Sequence, residues 1–310
     1  MATKENSTYK CHFCGVCDGT GCIGEMPGMG GPNASRNFLL NCHGWNKLRR
    51  ENPCILDKTE SPKNIDIRLA PITGAVENIG YFDEKQFYFD LIESCTKAGL
   101  SLSIGDGCPD YKLQYGIDAV IEVQKTFSQK KSAVIIKPYP NEKMFERYEW
   151  ASKVIEIGGI DIDSYNIVTM RDLVHLEKKT SAQLIEIKNF LSHKGIPFAI
   201  KGVFTKEDVE IVKEVHPDIV YISNHGGRVD TREGSTAEFL EENHKTFLSN
   251  CENLWVDGGI RSYNDVQTAA YFGVTTVLLG RPIITSLCES KNKSVNHDLE
   301  KFKKNPKTDS

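Results

Sequence analysis

The sequence predicts an α/β fold: a (β/α)8 TIM barrel carrying an N-terminal Cys-rich extension. Three observations lead there. From about residue 65 onward, eight short β-branched runs are apolar on both faces, as strands covered on both sides must be. Longer segments of helical character alternate with them, which is the pattern of repeated βα units. A doubly wound open sheet is the alternative, but no G-x-G-x-x-G follows the first run.

In order, the strands are "IRLAPIT" (67–73), "LSLSIGDG" (100–107), "AVIIKPY" (133–139), "GIDIDSY" (159–165), "FAIKGV" (198–203), "DIVYISN" (218–224), "LWVDGGI" (254–260) and "TTVLLGR" (275–281). Helices are expected between them at 83–99, 144–158, 181–195 and 262–273. Several begin at Ser or Asp, which caps the free N–H groups of a first turn, and end at Gly. The chain divides into a Cys-rich extension (1–60), the barrel (61–290) and a polar tail (291–310) read as a short helix or a disordered end.

Composition narrows the class. With 310 residues, 39% of them hydrophobic, one principal core is expected. A net charge of −4 argues against nucleic acid or an anionic membrane as partner, and a small-molecule substrate fits better. No run of eighteen apolar residues occurs and the start "MATKENSTYK" is polar, so a cytoplasmic protein is expected. Ten cysteines in so long a chain do not read as a disulfide scaffold; Cys95, Cys251 and Cys288 sit in apolar segments as small hydrophobes.

Function should lie at the carboxyl ends of the strands, where barrels keep their sites. Polar residues collect there: Lys201 on strand five; Ser223, His225 and Arg228 after strand six; Asp257, Gly258, Gly259 and Arg261 after seven; Gly280 and Arg281 after eight. Two adjacent loops of Gly plus Arg makeup suit a phosphate, since glycine lets backbone N–H groups approach and arginine adds charge-assisted bonds. Lys201 lies within an apolar strand and needs an anionic partner or a shifted pKa; Asp257 is one candidate. In "SNHGGR" an imidazole able to act as a base near neutral pH stands three residues from a guanidinium able to grip a carboxylate.

The stretches "AIKGVFTKEDVEIVKEVHPDIVYISNHGGRVD" and "LWVDGGIRSYNDVQTAAYFGVTTVLLGRPI" resemble the C-terminal half of the FMN-dependent α-hydroxy-acid oxidases and dehydrogenases. The resemblance spans 199–283 with few gaps, while the first half matches in layout only. It implies FMN as cofactor and oxidation of a 2-hydroxy acid to a 2-oxo acid. By the same resemblance His225 takes the substrate proton, Arg228 binds its carboxylate, and Lys201 stabilises negative charge on the reduced flavin. Asp257, Gly259, Arg261, Gly280 and Arg281 would surround the ribityl phosphate, with Gly258 and Ser223 beside them, and Ala70, Pro71, Thr73 and Ser103 would border the flavin. A homo-oligomer is implied as well.

The departures cluster on the substrate side. Where the family has Gln at the end of strand three this chain has Lys137, with Tyr139 keeping the family's aromatic for the substrate; where it tends to Thr-x-Asp after strand four, Asp161 and Asp163 stand here. Lys137 and Asp161 form an ion pair or reshape the pocket. The family's second carboxylate-binding arginine has only Arg171 as a weak counterpart, and the long loop between strands four and five is shortened. An FMN-dependent isomerase of the isopentenyl-diphosphate type is one rival reading, though that group lacks S-N-H-G-G-R. A flavin and metal electron-transfer or redox-sensing protein is the other.

The resemblance does not predict the N-terminal segment. "CHFCGVCDGTGC" sets Cys11, Cys14, Cys17 and Cys22 in C-x2-C-x2-C-x4-C spacing, which suits zinc or an iron-sulfur cluster, with His12, Cys42, His43 and Cys54 as further ligands. Free thiols packed near the barrel are the alternative.

Overall fold

A computed structural model describes residues 36–53, 55, 65–79, 81–166, 174–229, 231–289 and 296–303. All eight expected strands form, in one parallel sheet: β1 (Asp66–Leu69), β2 (Leu102–Gly105), β3 (Ser132–Ile136), β4 (Ile155–Asp161), β5 (Phe198–Val203), β6 (Ile219–Ile222), β7 (Asn253–Val256) and β8 (Thr276–Leu279). Their order is β1-β8-β7-β6-β5-β4-β3-β2. The two ends meet at an Arg68–Ser101 bridge, where the Leu69 N–H donates to the Ser101 carbonyl at 2.9 Å, and this closes the barrel.

The helices are α1 (Arg36–Glu51), α2 (Glu84–Lys97), α3 (Tyr111–Gln124), α4 (Asn141–Trp150), α5 (Ser181–Ser192), α6 (Lys206–Val215), α7 (Thr236–Leu248), α8 (Tyr263–Tyr271), α9 (Arg281–Glu289) and α10 (Asn296–Lys303). Their starts follow the expected chemistry. The Asp83 carboxylate accepts the Gln86 N–H at the start of α2, and Thr180, Thr205 and Ser262 form reciprocal capping boxes with Gln183, Asp208 and Asp265. One expectation is corrected. The helix read over 144–158 stops at Trp150, and β4 begins at Ile155, because the β-branched Ile155, Ile157 and Ile160 pair with β3 instead of continuing a helix.

Most of the core lies between the sheet and the helices, as a barrel requires. Inside the barrel, the Tyr221 and Trp255 rings pack with Ala133, Ala199, Ile219 and Leu278. In the tail, α10 buries Leu299 and Phe302. Among the described residues, no helix is long and apolar enough to cross a membrane.

The described part of the N-terminal extension is bound to the barrel. Helix α1 lies over the loops after β6 and β7 and buries Phe38, Trp45 and Leu48. Its polar residues face the loop backbone: the Asn37 amide donates to the carbonyls of Val229 and Arg232, and Trp45 Nε1 donates to that of Gly258. Asn41 and Asn224 exchange two hydrogen bonds, at 2.8 and 3.0 Å, and Asn41 Oδ1 also accepts the Thr236 N–H. Since these groups are buried, Asn41→Ala strands the Thr236 N–H and leaves the Asn224 amide only the Gly227 N–H and the more distant Gly234 carbonyl, at 3.5 Å. It should cost ~1–3 kcal/mol, read as a lower urea midpoint with an unchanged m-value.

Candidate active site

A cavity of about 210 Å³ opens at the carboxyl ends of the strands, and all eight strand ends contribute to its wall. On one side stand Ala70, Pro71 and Thr73 after β1, Gly105 and Asp106 at β2, and Lys137 after β3. Asp161 of β4 and Lys201 of β5 form the inner wall, and His225 and Arg228 come from the loop after β6. The far rim is Asp257 to Arg261 after β7 and Gly280 to Pro282 after β8. Three expected site residues stand behind this wall. Ser223 donates to the Asp257 carboxylate at 3.0 Å, Ser103 is buried with its hydroxyl unpartnered, and the Tyr139 ring lies under the Lys143 ammonium and the Arg147 guanidinium.

The inner wall is a chain of charges fixed by strand register. β4 and β5 set Asp161 opposite Lys201, and Lys201 Nζ donates to Asp161 Oδ1 at 2.7 Å. This corrects two expectations. The partner of Lys201 is Asp161 and not Asp257, whose Oδ2 accepts from Tyr221 and Ser223. With Asp161 engaged by Lys201, no hydrogen bond joins it to Lys137, and the buried Lys137 Nζ has no hydrogen-bond partner. Burial disfavours the Lys201 charge, yet the carboxylates of Asp161, Asp163 and Asp257 outweigh it and hold its pKa above the usual value. Burial pushes the Asp161 carboxyl up to about 6, against the pull of Lys201.

His225 Nδ1 lies 3.2 Å from Asp163 Oδ1, 3.6 Å from Asp161 Oδ2 and 3.4 Å from Lys201 Nζ. Two carboxylates facing Nδ1 favour a proton there, which leaves Nε2 as the acceptor. Burial, then the Lys201 ammonium, pushes the imidazole down to about 3, so it is neutral across the physiological range. Asp161, Asp163 and His225 also offer three ligand atoms within 4.8 Å of one another, a spacing a metal ion can use. The Lys201 ammonium already stands among them and supplies the positive charge.

The loops after β6 and β7 are shaped by α1. His225 itself has a left-handed φ of 56°, and Gly226 and Gly227 follow at 65° and 91°. A Cβ on Gly227 would come within 2.5 Å of the Phe38 backbone nitrogen, and one on Gly259 within 1.8 Å of the Asn41 carbonyl oxygen. Gly259, expected to let backbone N–H groups approach a ligand, and Gly227 are both required first by the helix on their other side. Arg281 bridges both features: its NH2 donates to the Gly226 carbonyl at 2.8 Å and its guanidinium lies 4.3 Å from the Phe38 ring centroid. Arg261 donates to the Ile260 carbonyl while its own N–H donates to Asp265.

Sequence reasoning missed Asp106, Arg147 and Asn41. Arg147 is fully buried and donates to Asp106 Oδ1 at 2.8 Å behind Lys137. On an amphipathic helix it reads as a surface charge, and no local pattern marks it otherwise. Cys11, Cys14, Cys17 and Cys22, with His12, Cys54 and Arg171, lie outside the described residues. Cys42 and His43 belong to no metal-capable group among the described residues.

Comparison with known proteins gives the family and the fold. A family model described as "FMN-dependent dehydrogenase" matches residues 117–309. 2-Hydroxyacid oxidase 2 of Bos taurus is 33% identical over 114 residues, covering 37% of this chain and 32% of that protein. 4-Hydroxymandelate oxidase of Amycolatopsis orientalis is 35% identical over 109 residues, covering 35% and 30%. The matched segment thus spans about a third of the length of these curated relatives. A crystal structure of mandelate oxidase with benzoyl-formic acid superposes with a TM-score of 0.63 at 16% identity, over 86% of this chain and 83% of that one, which establishes the shared fold. With the family match covering more than half of its length, the chain belongs to the FMN-dependent dehydrogenase family.

Proposed function

We propose that this protein oxidises a 2-hydroxy acid to the 2-oxo acid with bound FMN. The carrying observation is a neutral imidazole and a guanidinium, three residues apart, on one wall of a cavity whose opposite rim is built from Gly- and Arg-containing loops. The cavity fits the cofactor on its own terms: Lys137 Nζ and Asp257 Oδ1 are buried without hydrogen-bond partners along its wall, and polar ligand atoms would satisfy both. Arg261, Arg281 and the backbone of 258–259 would hold the phosphate, and Ala70, Pro71 and Thr73 would border the ring.

When bound, FMN supplies the two-electron acceptor. The protein does the rest. Arg228 lines the cavity yet remains exposed, so it can meet a substrate carboxylate arriving from solvent and orient it. His225 Nε2 accepts the hydroxyl proton, and Asp163 at Nδ1 stabilises the resulting imidazolium. The substrate gives up two electrons and two hydrogens, one of them the proton left on His225.

The direct test is to load the purified chain with FMN and add a panel of 2-hydroxy acids without oxygen. Bleaching of the visible flavin band by at least one acid, with the matching 2-oxo acid formed in equal amount, is the expected result. A flavin that stays oxidised with every acid would discard the hydroxy-acid reading in favour of isomerase or electron-transfer chemistry.

A further inference from the structure

One ammonium of the innermost wall makes no hydrogen bond to any of the carboxylates around it. Following the strand ends from β2 to β5, and including Arg147 behind them, the charges run Arg147, Asp106, Lys137, Asp161, Lys201. Both anions are taken. Asp106 accepts from Arg147 at 2.8 Å, and Asp161 from Lys201 at 2.7 Å. Lys137, 7% exposed, is left between them with no hydrogen bond to its Nζ, on the wall of the cavity. Burial pushes the Lys137 ammonium down against the pull of Asp106 and Asp161. An ammonium buried without a hydrogen bond is costly, and a ligand that supplies acceptor atoms or negative charge would offset that cost.

We infer that Lys137 takes over from Lys201 the stabilisation of the anionic, reduced flavin ring, because Asp161 neutralises Lys201. This inference rests on the FMN reading above. Against the family pattern, Gln to Lys137 adds one positive charge and Thr to Asp161 one negative, so the two departures cancel in net charge while Lys201 gains a hydrogen-bonded carboxylate and the ammonium without a hydrogen bond stands after β3. The position favours the ring over the substrate: Lys137 lies deep in the wall, whereas Arg228, exposed at the rim, is the group a carboxylate meets first. A cation beside the ring binds the reduced anion more tightly than the neutral oxidised form, and that difference is a shift in midpoint potential.

The test is the midpoint potential of bound FMN, by dye equilibration, together with the affinity of oxidised FMN by fluorescence quenching. Lys137→Gln should weaken binding of reduced relative to oxidised FMN at least about tenfold, equivalent to a potential about 30 mV lower, while Lys137→Arg holds the wild-type value. Asp161→Thr should raise the potential by freeing Lys201. A potential unchanged in Lys137→Gln overturns the inference while leaving the FMN reading intact. Should Lys137→Gln fail to fold or to hold flavin, Asp161→Thr decides alone, and an unchanged potential there overturns the inference too. Failure of the wild-type chain to bind FMN overturns both.

Discussion

His225→Ala is expected to lower kcat/KM for the hydroxy acid by about 10²- to 10⁴-fold, the range for loss of a general base, while oxidised FMN stays bound. The side chain reaches into the cavity but makes no contact that holds the barrel together: its ring neighbours are Asp161, Asp163 and Lys201, and the loop is held by Asn41, Asn224 and Arg281. Removing the ring therefore deletes chemistry and spares architecture. Substrate-driven bleaching at the wild-type rate in His225→Ala would remove the residue from its role. The pH profile gives a second check with a definite sign. A base must be unprotonated to act, and His225 is pushed down to about 3 by burial and Lys201, with Arg228 and Lys137 adding to the push and Asp161 opposing it. Since kcat/KM reports the free enzyme, His225 should contribute no acid limb near the ordinary imidazole value of about 6.5, and a limb near 6 belongs to Asp161, whose carboxyl burial pushes up to about 6. A substrate carboxylate on Arg228 places a negative charge beside the imidazole and raises its pKa, so the acid limb of kcat should lie at higher pH than that of kcat/KM. A limb near about 6.5 in kcat/KM that persists in Asp161→Thr would mean that solvent reaches the His225 ring in solution.

The strands and the mouth were legible because both are local. Two-faced apolar runs such as "AVIIK" and "DIVYI" state burial on both sides without any knowledge of neighbours, and a barrel turns consecutive strand ends into one site. Partner choice was not legible. That Lys201 pairs with Asp161 depends on the β4–β5 register, which sets them opposite each other, and nothing in "FAIKGV" or "LWVDGG" separates Asp161 from Asp257 as a partner. Helix α1 was harder still. Its contacts span about two hundred residues, and its own residues, Asn37, Asn41 and Arg49, read as an ordinary polar face until the loop carbonyls, the Asn224 amide and the Asp265 carboxylate that they bind are in place. The D-G-G glycines point to a ligand in the sequence and pack against α1 in the structure, since a ligand and a packed helix make the same demand on a sequence.

Two single-methyl substitutions separate those causes. Gly259→Ala places a Cβ 1.8 Å from the Asn41 carbonyl oxygen and 2.4 Å from its carbon, on a backbone whose φ is 76°. Neither side can yield cheaply. The loop is tied to α1 by the Trp45 bond to Gly258, and α1 is tied onward by Arg49 to Asp265 at 2.7 Å. If the helix lifts instead, Phe38, Trp45 and Leu48, each at most 2% exposed, return to water at roughly 1.5–3 kcal/mol apiece. A destabilisation of about 4 kcal/mol or more follows by either route, read as a large fall in the urea midpoint with α1 becoming open to protease. Gly280→Ala is the contrast. Its Cβ would meet only the Ala70 methyl, at 3.8 Å, so stability should stay within about 0.5 kcal/mol, while the added methyl stands on the cavity wall and should weaken FMN binding. Equal stability in the two variants would mean that α1 does not seat on the β7 loop in solution. The glycines of one mouth therefore answer to two neighbours, a helix behind Gly259 and an open cavity before Gly280, and only the second is a statement about the ligand.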